Sequence, residues 1–152
     1  MNLSTHFSLA ELTTTTTGIA NTTTDTVILA NLKSLCDNIL EKVREHYNSP
    51  VVVHSGYRCP AVNTAVGSSN SSQHTKGEAA DFHVEGFTVY QVAVWIDANL
   101  DYDQLILENF IPGIETSGWV HCSFKNSQSN RNQTLTKYKG SKDYHPGIIL
   151  NP

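Results

Sequence analysis

At 152 residues and 39% hydrophobic side chains, the chain suits a single domain, 1–152, able to bury a core without disulfide or metal staples. Its 10 basic residues against 14 acidic ones give a formal charge of −4, which argues against nucleic acid as a main partner because phosphate contacts need concentrated basic surface. Cys36, Cys59 and Cys122 are an odd set without paired spacing, so no disulfide framework is expected.

Met1 to Leu12 holds neither a basic stretch nor an apolar run, and nothing approaches membrane-spanning length. The expectation is a chain made soluble in the cytoplasm, without a signal peptide, not inserted in a membrane, and monomeric. Residues 1–25 divide into a short helix and a Thr-rich loop. Ser8 with Glu11 three residues on reads as a capping box opening Leu9 to Leu12, and Thr13 to Thr17 and then Asn21 to Thr24 are polar and β-branched with little to bury. From Thr26 to Tyr47 the apolar residues Ile28, Leu32, Leu35, Ile39 and Val43 recur at helical intervals, with Asp25 as N-cap and Lys33, Asp37, Glu41 and Arg44 away from the stripe's centre. Val51 to His54 is a strand running into the loop Ser55-Gly56-Tyr57-Arg58, and Pro60 opens a short helix ended by Gly67. Ser68 to Ser72 is a polar loop. Phe82 to Val84 continues a strand, and Thr88 opens a second amphipathic helix through Leu100. Asp103 to Glu108 and Trp119 to Phe124 alternate as strands joined hairpin-fashion. Residues 126–152 form a polar tail, with Ile148 to Leu150 closing it as a final strand or an anchor.

Within this frame, Ser72-Gln-His-Thr-Lys-Gly-Glu-Ala-Ala-Asp81 sets an imidazole and a carboxylate around a turn at Gly77. On the later strand, His121 shares a face with Trp119 and Ser123, while Val120, Cys122 and Phe124 take the other. His74, Asp81 and His121 together offer two imidazoles and one carboxylate, a set that suits zinc and leaves a fourth position for water, as in catalytic sites. His54 reads as a packing residue, and His83, on the face of Asp81, as a reserve ligand. Arg58 is either a surface arginine tied to an acid or a fork aimed at a substrate carboxylate or developing oxyanion. Trp119 and Tyr57 can form an apolar wall.

Ser72-x-His74-x-x-Gly77-x-Ala79-x-Asp81 resembles the SxHxxGxAxD motif of the zinc D-Ala-D-Ala carboxypeptidases that act on peptidoglycan. Ser55-Gly-Tyr-Arg-Cys-Pro60, Asp103-Gln-Leu-Ile-Leu-Glu108 and Trp119-Val-His121 resemble the same family, in the same order. The resemblance implies one zinc ion on His74, Asp81 and His121, substrate contacts from Arg58 and Ser72, and catalytic roles for Arg58 and a general base. Many relatives carry that base as Glu-x-x-His. Gly118 stands three before His121 here, which leaves Glu108, ending a Leu-Ile-x-Glu strand similar to the phage and bacterial branch, ahead of Glu115.

The implied substrate is the stem peptide or cross-bridge of peptidoglycan, cut by a carboxypeptidase or endopeptidase, with a phage or prophage endolysin as the setting. Two other readings stand beside it: a non-catalytic zinc-binding module such as the Hedgehog signalling domain, and a virion structural protein that keeps the fold. The implied fold is α+β: an antiparallel sheet with helices on one face and zinc in a groove on the other.

Overall fold

The computed structural model describes residues 1–152. Three of the helices start where their first free N–H groups find a side-chain acceptor, and a fourth starts at a proline. The capping box of Ser8 and Glu11 opens α1, Leu9–Leu12. Asp25 accepts from the N–H groups of Val27 and Ile28 to open α2, Thr26–Leu35. Pro60 stands at the start of α4, Pro60–Ala65, and a second capping box, Thr88 with Gln91, opens α5, Val89–Asn99.

The expected long helix runs unbroken to Tyr47 but changes pitch on the way. Between α2 and α3, Glu41–Tyr47, residues Cys36–Leu40 form a π-turn. Asn38 donates its side-chain amide to the Ser34 carbonyl at 2.8 Å, inserting a side chain into the backbone ladder. The wider turn broadens the buried face: Leu35 with Cys36, and Ile39 with Leu40, are all fully buried. It also carries Glu41 inward, to 9% exposure, where the helical pattern alone sets it away from the stripe. Asn48, in the left-handed region at φ 47°, ends α3 before Pro50.

Six strands make one sheet in the order β1-β2-β4-β3-β5-β6: β1 Val51–Ser55, β2 Ala79–Val84, β3 Gln104–Phe110, β4 Trp119–Ser123, β5 Gln133–Tyr138 and β6 His145–Pro146. The sheet is mainly antiparallel, as expected, and of its neighbours only β3 and β5 pair parallel. The reason is connectivity. In the β3–β4 hairpin, β4 ends beside the start of β3, and the chain returns from there to begin β5 with Gln133 level with Gln104. The polar tail thus supplies two strands. Ile148 and Leu150 pack on the core as an anchor rather than as the last strand.

Alternation divides the sheet. Ala80, Phe82, Val84, Leu105, Leu107, Val120 and Cys122 face the helices in one hydrophobic core with Leu32, Leu35, Ile39, Val92 and Ile96. Asp81, His121, Ile106 and Glu108 therefore take the opposite face. The three cysteines are free, and no helix is long and apolar enough to cross a membrane.

Candidate metal centre and substrate cleft

Pairing register assembles the centre. Asp81 on β2 lies directly opposite His121 on β4, which in turn pairs with Ile106 on β3. His74 comes from a single 3-10 turn, Gln73–Lys76, capped by the Ser72 hydroxyl and closed by Gly77 in the left-handed region at φ 72°. A side chain at Gly77 would meet the Ile28 carbonyl at 2.9 Å, and Asn31 donates to the Lys76 carbonyl, so α2 backs this turn closely.

The three side chains converge. Their ligand atoms all lie within 4.8 Å of one another, with Asp81 Oδ1 2.9 Å from His121 Nδ1 and Asp81 Oδ2 3.4 Å from His74 Nε2. His74 Nδ1 donates to the Gly56 carbonyl at 2.7 Å, which fixes the tautomer and leaves the Nε2 lone pair towards the cluster. Burial works against the Asp81 charge, but the two imidazoles outweigh it and hold the carboxyl far below the usual carboxylate range. A constrained imidazole, a second one beside it and a carboxylate kept ionised fit the donor set of a divalent zinc ion.

Arg58 is held at the edge of this cluster. Its Nη2 donates to Asp81 Oδ2 at 3.3 Å and its Nε to Ser55 Oγ at 3.0 Å, while its backbone N–H bonds the His74 carbonyl. Around these residues opens a cavity of about 490 Å³, lined also by Ser72, Glu108 and Trp119. Burial pushes the Glu108 carboxyl above its ordinary pKa; His121 works against that shift and the charge of Asp81 adds to it. Trp119 brings an indole N–H that is buried and has no acceptor in the protein.

Not every expected residue reaches the cleft. Tyr57 is 5% exposed and sits in the hydrophobic core. Its backbone is pinned by Leu12 and Asn21, on the α1 side, so it forms no wall of the cavity. Glu115 is exposed in the β3–β4 connection, outside the cavity, with its backbone carbonyl bonded to Tyr90 N–H. His54 and His83 bond each other at the β1–β2 edge of the sheet and do not join the three converging side chains. Conversely, Arg131, Leu135 and Tyr144 line the cleft without belonging to any motif, and Gln104, which its motif carried without a role, lines it too. Only Gln104 had a signal, its place on the alternating face of Ile106 and Glu108.

A family model described as Peptidase M15 matches residues 5–123. The chain belongs to the peptidase M15 family. This is the zinc D-Ala-D-Ala carboxypeptidase family, so membership implies a zinc-dependent peptidase acting on peptidoglycan. No curated protein matches the chain. The family match spans Arg58, the three converging ligands and Glu108 of this M15 peptidase, and ends before Arg131, Leu135 and Tyr144.

Proposed function

We propose that this M15 peptidase hydrolyses an amide bond in the peptide part of peptidoglycan, as a D-Ala-D-Ala carboxypeptidase or as an endopeptidase of the stem or cross-link. One zinc ion is held by His74, Asp81 and His121. The observation that carries the reading is the convergence of those three ligand sets within 4.8 Å, in a cleft that Glu108 also lines. A zinc ion bound there supplies a Lewis acid for the scissile carbonyl and lowers the pKa of a water towards neutrality.

The remaining work falls to the chain's own side chains. Glu108 takes the proton of the attacking water on its carboxylate and returns it to the leaving nitrogen, an exchange helped by a pKa already raised by burial. Arg58, tethered by Asp81 and Ser55, keeps Nη1 for negative charge on the substrate. Ser72 and Trp119 contact the peptide along the cleft. An endolysin role rests on the likeness of the strand ending at Glu108 to the phage and bacterial branch.

The test is digestion of purified peptidoglycan by the zinc-loaded protein, with and without a chelator, followed by mass spectrometry of the fragments. A new terminus that disappears with chelator is the expected result, and its position names the bond. A protein that carries one zinc and releases nothing would instead be a binding module.

A further inference from the structure

The cleft continues well past the metal cluster. Its floor passes in register from Asp81 and His121 to Ile106 on β3 and Leu135 on β5. Where β3 and β5 begin, Gln104 and Arg131 line the same cavity.

Arg131 differs from a solvated surface arginine. Its Nε and Nη2 donate to the two carboxylate oxygens of Asp103 at 3.1 and 2.8 Å, and its backbone N–H bonds the same side chain at 3.0 Å. Asp103 is fully buried, whereas the Arg131 side chain is 49% exposed. The pair thus fixes the plane of the guanidinium and leaves Nη1 without a protein acceptor. Because Asp103 cancels its charge at a distance, Arg131 offers directed donors rather than a long-range field. A planar fork of this kind suits a carboxylate.

Its distance from the chemistry follows from the sheet. Gln104 stands one strand over and two residues along from His121, about 8 Å by ordinary sheet spacings, and the Arg131 backbone, two strands over and four residues along, lies at roughly 17 Å, with its side chain reaching back into the cleft. An extended peptide covers a span of that order in about three to five residues.

We propose that Arg131 forms a second anion subsite, which takes a carboxylate of the substrate about three to five residues from the scissile bond, on the side of the cluster away from Arg58. The substrate class is then a peptide with acidic groups on both sides of the amide that is cut. The inference rests on the peptidase reading above, since the subsite is defined relative to that amide. It belongs to the C-terminal strands of this chain, outside the residues 5–123 that match the family.

The experiment uses stem peptides in which each carboxylate in turn is exchanged for its primary amide, cleaved by the zinc-loaded wild type and by Arg131→Gln. Amidation of the remote carboxylate should lower the wild-type kcat/KM about ten- to a hundredfold, mainly through KM. Arg131→Gln should cleave the acid and amide forms alike, and Arg131→Lys should recover part of the preference. Since Arg131→Gln strips a buried carboxylate of its partner and can unfold the chain, the wild-type comparison is decisive without it. Equal wild-type rates on the remote acid and amide overturn the subsite alone, and so does an Arg131→Gln loss equal on both. If the zinc-loaded wild type cleaves none of the peptides, the peptidase reading falls and the subsite falls with it.

Discussion

Asp81 keeps its charge with a side chain only 11% exposed, among His74, His121 and Arg58. An ionised carboxylate so placed is tolerable only with such partners. Asp81→Asn removes the one carboxylate from the cluster. Metal analysis of the purified variant should find no zinc, and peptidase activity should vanish with it. On the proposed mechanism Glu108 separates binding from chemistry, because it lines the cleft without joining the three converging side chains. Glu108→Gln should keep one zinc while turnover drops at least about 100-fold, the lower end for loss of general acid–base catalysis. Glu115→Gln, altering an exposed side chain, should leave both unchanged. A zinc-replete Glu108→Gln with full activity would move the base elsewhere.

At the scale of elements, tight backbone approaches set the site. Gly118 opens β4 at φ 68°, and a Cβ there would collide with the Glu108 carbonyl across the hairpin. Gly140 has a similar φ of 81° with nothing within 4 Å, so it isolates the backbone term. Gly140→Ala should cost about 1 kcal/mol, whereas Gly118→Ala should cost clearly more and slow turnover by displacing the strand of Glu108. Equal shifts in thermal unfolding would dismiss the collision. The π-turn has a consequence of its own. It brings Glu41 to accept from the Ser4 hydroxyl at 2.6 Å and the His6 backbone at 2.7 Å, with His6 Nδ1 also at 2.7 Å. This clamps a segment whose Leu3 and Phe7 are core residues. Glu41→Ala should destabilise by about 1–3 kcal/mol. Amide exchange in residues 3–8 should rise first. Exchange rising evenly through the chain would mean that the clamp is not local.

Over the whole molecule, what the sequence made legible was local. Helix starts at Ser8, Asp25, Pro60 and Thr88 depend on neighbours within three residues, and the two faces of β3 and β4 follow from alternation alone. The partnership of Arg131 with Asp103 was hidden, because it depends on β5 returning parallel to β3 from a stretch with weak periodicity. The π-turn was hidden as well, since one amide–carbonyl bond resets a pattern that reads as regular. Buried acids distributed across these elements also govern stability against acid. In Asp81, Asp103 and Glu41 burial opposes ionisation, but hydrogen bonds and cationic neighbours prevail and lower each pKa from 3.8 for the aspartates and 4.5 for the glutamate. The unfolded chain therefore takes up protons first as pH falls. Their contribution is complete above those ordinary values and is lost as pH drops through the lower folded ones. Glu108 has the opposite sign: its raised pKa favours the folded state at low pH, and that contribution fades as pH rises through the folded value. Urea unfolding of the metal-free protein should give a stability that falls below about pH 4.5, by at most about 1.4 kcal/mol per pH unit for each proton. The double variant Asp103→Asn, Arg131→Gln removes one of the three acids together with its partner and should flatten the acid limb. An acid limb of unchanged slope would mean that Asp103 does not titrate with unfolding.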